Sequence, residues 1–440
     1  MTRERTTVVL FYPRDDTLPA WTPHCYLRLA PALREAGFDP VVIDQRVQDD
    51  WRERLESRID DALWIGFSLI TGVMIRYALE VSAIVKARRP DLPVVWGGWH
   101  PSCVPEQTLA HPLIDYVVCG PAEEIVADLC LHLQGRAPIP PRVFDKKRIA
   151  ASKSPLANMK PVRPDAQRRW RTGYSLIPDM DHYRSRNNVA ALFGSVSCAY
   201  GKCTFCSIVS MYKYTRRDTS ELLDEIQFLV EENGFDTLVF QDGLFFTAPK
   251  ISMPIVQGIL DRGIKMQWKA KARADGFNRF SDEQMRLIRA SGFVEVHIGF
   301  ESASQRMLDK MAKGTKVEHA HDAARICAKW DISLIATYLC ALPGETVNEL
   351  CATIEQMHAV NRTGAKFAAS LGYYLPVPGA ATYDEFVATG GKVPASLDEW
   401  KDANWENPDL NPLHWLSPAD RTDFLRLYYS NKSVSNWKAA

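Results

Sequence analysis

Along the first 130 residues, short apolar runs alternate with stretches whose apolar positions recur every three or four residues. The runs TVVLFY, DPVVID, ALWIGFSL, LPVVWGG and IDYVVCG are bounded by turn-forming residues, and amphipathic segments such as YLRLAPALREAG and YALEVSAIVKARRP lie between them. Strands that are apolar on both faces and separated by helices belong to a parallel sheet covered on both sides. Ligands of such sheets bind beyond the C-terminal strand ends, which makes the stretches 13–23, 68–72, 97–102 and 120–124 the candidate loops. Further on, strand-like runs return at VAALFGS, TLVFQDG, MQWKAKA, VEVHIGF, SLIATYLCALPG and KFAASLGYYLP, separated by helical patterns such as SELLDEIQFLVEENG. Six strand–helix units predict a partial (β/α)6 barrel of TIM type, whose chemistry sits where strands end in loops.

The pattern divides the chain into an N-terminal Rossmann-like parallel sheet (1–138), a linker rich in Pro, Lys and Arg (139–185), the barrel (186–375) and a mainly helical C-terminal extension (376–440). Trp400, Trp405, Trp415 and Trp437 in the extension suit a cap packed on the barrel, or a lid over substrate.

Composition narrows the class. At 440 residues the chain exceeds what one core organises. Lys plus Arg and Asp plus Glu number 53 each, so no basic field marks nucleic acid or a membrane surface as a partner. The first apolar run stops at Pro13 without a cleavage site, and no later window approaches the roughly 18 apolar residues of a membrane helix. The expectation is a soluble cytoplasmic protein, in which ten cysteines read as thiols or metal ligands.

Three of those cysteines carry chemistry. The segment SVSCAYGKCTFCSI places Cys198, Cys203 and Cys206 with four and then two residues between them. Three thiolates on one loop can hold one face of an iron–sulfur cube, and the missing fourth ligand leaves an iron open for substrate or cofactor. A structural zinc site built on Cys203 and Cys206 is the competing reading. It would need a distant ligand, because apart from Cys198 no Cys or His lies between His182 and His297.

The loop resembles the signature of the radical S-adenosylmethionine superfamily, with Phe205 at the aromatic place before the last cysteine. The usual spacing has three residues, not four, between the first two cysteines; Gly201 is suited to absorb the extra one by adopting a positive φ. Membership implies that Cys198, Cys203 and Cys206 hold a 4Fe-4S cluster and that the amino and carboxylate groups of S-adenosylmethionine chelate its open iron. Cleavage then gives a 5′-deoxyadenosyl radical, with electrons from a flavodoxin- or ferredoxin-type donor. QDGLFF implies roles for Gln241 and Asp242 near the amino group, WKAKARADG a role for Arg273 toward the carboxylate or a neighbouring acid, and HIGFESASQRMLDKMAKGT roles for Glu301 and Ser302 facing polar groups of the cofactor. ALPGET matches the fifth-strand turn.

The N-terminal domain, through PHCYLRLAPALREAGFDPVVID, WIGFSLITG, VVWGGWHPS and DYVVCGPAEE, is similar to cobalamin-binding domains fused ahead of such enzymes; a plain nucleotide-binding fold is the alternative. The resemblance implies a corrin over Ser68, Leu69, Ile70, Thr71 and Gly72, with Gly97, Gly98, His100, Gly120 and Pro121 around the cofactor. No Asp-x-His-x-x-Gly stretch is present, so the cobalamin is expected base-off without that histidine, and His100 reads as a hydrogen-bonding loop residue. The implied activity is a cobalamin-dependent radical methyltransferase acting through methylcobalamin on a carbon of a planar or apolar small molecule of antibiotic or other natural-product biosynthesis. A rearrangement, ring closure or oxidation is the second enzymatic reading.

Overall fold

A computed structural model describes residues 6–16, 19–151, 170–208, 213–403 and 408–436. Trp405 and Trp437 lie outside the described residues. The chain forms two compact units. One consists of Met1–Asn188, Met211–Thr215 and Pro394–Asn404, the other of Val189–Ser210, Arg216–Val393 and Trp405–Ala440.

In the first unit, β1 (Thr7–Tyr12), β2 (Asp39–Asp44), β3 (Ala62–Leu69), β4 (Val94–Gly98) and β5 (Tyr116–Val118) are the apolar runs read from the sequence. They pair in parallel in the order β2-β1-β3-β4-β5. Val8, Ile65, Val94 and Trp96 are fully buried, as central strands of a two-sided sheet require. The segment read as a linker contributes β6 (Val143–Phe144), antiparallel to β5, and the helices Lys146–Ala150 and Met180–Asn187. Tyr183 on the second of these donates to the buried carboxylate of Asp44 at 3.0 Å. Local composition marked this stretch as irregular; the order of its described residues comes from partners distant in sequence, and 152–169 lie outside the described residues.

In the second unit, β7 (Val189–Leu192), β8 (Thr237–Phe240), β9 (Gln267–Ala272), β10 (Phe293–Glu301), β11 (Ser333–Cys340) and β12 (Phe367–Tyr373) form six consecutive parallel strands. An antiparallel β13 (Ser433–Ser435) closes one edge. The helices Asp282–Ala290, His319–Lys329 and Val347–Asn361 lie against β10, β11 and β12. Ser281 with Gln284 and Thr346 with Glu349 form capping boxes at the first and third, satisfying amides that would otherwise be orphaned. The Gly-Glu-Thr of ALPGET is thus the start of a helix. This is the partial barrel of six units expected from the pattern. The C-terminal region is split, with the helix Pro418–Ser430 in the barrel unit and Pro394–Asn404 in the first. Among the described residues, no helix is long and apolar enough to cross a membrane.

Candidate active site

The cysteine loop follows β7 at the C-terminal end of the barrel strands. Ser197 before it has φ +69°, and Gly201 has φ +60°, a conformation that its lack of a Cβ allows. Neighbouring elements hold the loop. Tyr200 donates to the Ala312 carbonyl at 2.8 Å, the Thr204 amide to the Met311 carbonyl at 2.9 Å, and the Thr382 amide to the Thr204 carbonyl at 2.9 Å. Gly243 of QDGLFF packs so close that a Cβ there would stand 2.9 Å from the Ser197 carbonyl and 3.1 Å from Cβ of Cys198. All three thiols are free and half-buried.

These thiols share one electrostatic neighbourhood. Burial pushes Cys203 up to about 11, with Lys313 and Arg273 pulling the other way and Cys206 and Glu301 reinforcing the rise. Burial also raises Cys206, which accepts from the Ile208 amide and senses Cys198, Lys313 and Glu301. Among the described residues no three His, Cys, Asp or Glu side chains converge on a point that would hold a single metal ion. A cube places each thiolate on its own iron, so three thiols that sense one another on a loop clamped by three elements fit a cluster.

The other barrel residues singled out in the sequence divide by what they do. Glu301, at φ +65°, accepts from Lys313 Nζ at 2.6 Å, both side chains being nearly buried. Gly299 leaves this carboxylate its place, since a Cβ there would stand 2.2 Å from Glu301 Oε1 and displace it. Lys313 Nζ also stands 5.8 Å from the ring of Phe205. Asp242 is buried and accepts from the Gly194 amide at 2.9 Å and the Ser195 hydroxyl at 2.5 Å, which ties β8 to the base of the cysteine loop. Burial raises its pKa, opposed by those bonds. Gln241 accepts from Lys271 at 3.3 Å. Arg273 stacks over Tyr200 at 3.7 Å, and its donors go to Asp275, the Lys313 carbonyl and the Gly314 carbonyl. Ser302 is buried and turns away into the Ser304 amide and the Thr353 hydroxyl.

Sequence reasoning passed over Tyr200, Lys271 and Lys313. The alternation Lys269, Lys271, Arg273 along one strand was the available signal, since a strand face carrying a cation at every second residue is not packed into an apolar core.

In the first unit the candidate loops cluster at the C-terminal strand ends. Ser68 and Leu69 end β3, Gly97 and Gly98 end β4, and Gly120 and Pro121 follow β5. The Ser102 hydroxyl donates to the Gly98 carbonyl at 2.6 Å and accepts from the Gly120 amide at 2.9 Å, joining two of the loops. A Cβ on Gly98 would lie 2.5 Å from the Leu69 amide nitrogen. Ile70 projects from this rim, 40% exposed. An apolar side chain held outward among close-packed glycine loops fits the face of a corrin. Thr71 instead engages His100, whose Nδ1 lies 3.0 Å from the hydroxyl. His100 is fully buried, edge-on to Trp400 at 5.4 Å, and burial pushes its imidazole down to about 3. Its hydrogen-bond partner is Thr71, not a surface open to a cofactor's tail. Gly72, at φ +120°, borders the Ala403 carbonyl.

A parallel sheet with glycine-rich strand ends, followed by a six-stranded barrel with a three-cysteine loop, defines a class of two-domain radical proteins. The B12 binding domain family matches residues 22–130 and the Radical SAM superfamily residues 194–357. The chain belongs to the cobalamin-dependent radical S-adenosylmethionine family. An uncharacterised methyltransferase of Pyrococcus horikoshii is 26% identical over 74% of this chain and 69% of its own length. The anaerobic magnesium-protoporphyrin IX monomethyl ester cyclase of Rubrivivax gelatinosus is 25% identical over 93% of this chain and 73% of its own. Among solved structures, the radical S-adenosylmethionine methyltransferase TsrM of Kitasatospora setae, bound to tryptophan and an S-adenosylmethionine analogue, shares the fold. Its TM-score is 0.70 at 18% identity, covering 88% of this chain and 77% of that one.

Proposed function

We propose that this enzyme is a cobalamin-dependent radical S-adenosylmethionine methyltransferase that methylates a carbon of a small molecule in natural-product biosynthesis. The observation that carries the reading is the gathering of three free thiols on one clamped loop, beside the Glu301–Lys313 pair, in a chain that also holds a B12 binding domain. When bound, the cluster with S-adenosylmethionine would supply a hydrogen-abstracting radical and cobalamin a methyl carrier. Such a division suits a carbon without a lone pair, which a sulfonium alone does not methylate. The residues of the chain have the tasks of holding and shielding. Cys198, Cys203 and Cys206 would grip three irons, Glu301 and Gln241 border the place of the S-adenosylmethionine amino group, and Ile70 with the glycine loops supports the corrin. A flavodoxin- or ferredoxin-type protein would deliver electrons, in the cytoplasm.

A ring closure is the second reading, favoured by the similarity to the Rubrivivax cyclase over nearly the whole chain. Incubation with methyl-labelled S-adenosylmethionine separates the two. Label in the product supports methyl transfer, and an unlabelled product with cobalamin still required assigns the cyclase type. Cys203→Ala is expected to abolish the brown absorbance, iron and acid-labile sulfide, and with them 5′-deoxyadenosine; turnover by this variant would overturn both readings.

A further inference from the structure

The helices of the barrel unit cover one face of its sheet. On the other, alternate residues stay open. Trp268, Ala270, Val296, Ile298, Leu334 and Ala336 are buried, while Lys269, Lys271 and His297 are half-buried and Thr337 and Ser370 exposed. The register aligns them in rows across the strands. Lys271 faces His297, which faces Ile335; one step nearer the cysteine loop, Gly299 faces Thr337, which faces Ser370. Exposed hydroxyls and a glycine in the middle of a parallel sheet leave room for another molecule, where an apolar core would be closed.

The charges of this face do not balance. Its acids are already taken: Glu295 is shared by Lys269 at 3.3 Å and His297 at 2.8 Å, and the Glu301 carboxylate beside Gly299 accepts from Lys313. Arg273, two residues beyond Lys271, spends its donors on Asp275 and two backbone carbonyls. Lys271 is left with one neutral hydrogen-bond partner among the described residues, the Gln241 side-chain oxygen. Asp242 and Cys206 act on its charge without a hydrogen bond to it, and the Asp242 carboxylate is turned to Gly194 and Ser195. Burial accordingly lowers the pKa of Lys271. An ammonium withdrawn from water with no carboxylate bonded to it is costly, and a carboxylate beside it repays that cost through a charge-assisted bond.

We infer that the open face of the barrel binds a substrate carrying a carboxylate, anchored by Lys271 with Gln241 and His297 beside it. The inference rests on reading the cysteine loop as the catalytic centre, and it holds for methyl transfer and ring closure alike. S-adenosylmethionine also has a carboxylate, and the test separates the two sources.

The test uses the full-length protein reconstituted with cluster and cobalamin, and compares wild type, Lys271→Met and Lys271→Arg. Binding of a library of small carboxylates, each paired with its carboxamide, is measured by saturation-transfer NMR, and binding of S-adenosylmethionine by calorimetry. Expected are carboxylates that bind wild type in preference to their amides, weaken about 10- to 100-fold in Lys271→Met and recover in Lys271→Arg, with S-adenosylmethionine affinity, iron content and cluster midpoint potential unchanged. Carboxylates that bind no better than amides, or bind Lys271→Met equally well, would overturn the inference. So would an equal loss of S-adenosylmethionine affinity, which assigns the amine to the cofactor, or a shift in potential alone, which makes it a counter-charge of the cluster. Loss of iron from wild type as well would instead be a failure of the catalytic reading.

Discussion

Glu345 shows how strongly one side chain's surroundings govern its chemistry. It is fully buried behind the fifth barrel strand, with Oε1 unpartnered among the described residues and Oε2 accepting from the Leu342 amide at 3.3 Å. Burial pushes its carboxyl up from 4.5 to about 8. A group whose folded pKa lies above its unfolded value contributes stability that is complete below the unfolded value and lost as pH rises through the folded one. Stability should therefore decline between pH 4.5 and about 8 on account of this residue. Glu345→Gln keeps the acceptor and removes the proton linkage. Thermal melts across that range are expected to show a flatter profile for the variant and a higher melting temperature at the alkaline end; parallel profiles would reject the assignment. The Glu301–Lys313 pair is held differently, a nearly buried ammonium bonded to a nearly buried carboxylate at 2.6 Å. Removing one partner, as in Lys313→Met, should cost about 3–5 kcal/mol by leaving a buried charge alone, measurable by urea unfolding of the cluster-free protein.

At the scale of elements, the loops at the strand ends depend on backbone shapes that only glycine adopts readily. Gly98 has φ +89° and ψ −161°, a region nearly closed to other residues, and its missing Cβ makes way for the backbone of Leu69. Gly98→Ala should cost about 1–3 kcal/mol from the dihedral alone and more from the clash, lowering both stability and the cobalt retained after reconstitution with cobalamin. Gly37→Ala is the control. That glycine also has positive φ, but nothing lies within 4 Å of the added methyl, so cobalt retention should be unchanged. The strands were legible because Val, Ile, Leu and Phe runs between turn residues allow few other arrangements. Val143–Phe144 and Ser433–Ser435 were not, being two or three residues long and made strands by the partners they pair with. In the site, the cysteine loop and Glu301 were readable from motif. Lys271 and Lys313 were not, since their meaning lies in which carboxylates they face and which they lack.

At the scale of the molecule, the chain does not divide at one point. Pro394–Asn404 belongs to the N-terminal unit, where Trp400 is fully buried, donates to Gln107 at 2.7 Å and covers His100, while Asp402 pairs with Arg76. Trp400→Ala should cost about 3–5 kcal/mol. Calorimetry is expected to show the loss in one thermal transition, with the other unmoved, and His100 should become reactive toward diethyl pyrocarbonate. A uniform shift of both transitions would contradict the assignment of this segment to the first unit. The amino-acid sequence by itself determined the two α/β units, the strands within them, the cysteine loop and the glycine-rich strand ends, because hydrophobic period and residue chemistry are local properties. Only the tertiary structure decided which unit the tail segment joins, that Arg273 is spent on the backbone while Lys271 is not, and that His100 is sealed behind a tryptophan 300 positions away. Those outcomes depend on which groups share a desolvated space, and proximity of that kind is made by packing between residues far apart in the chain.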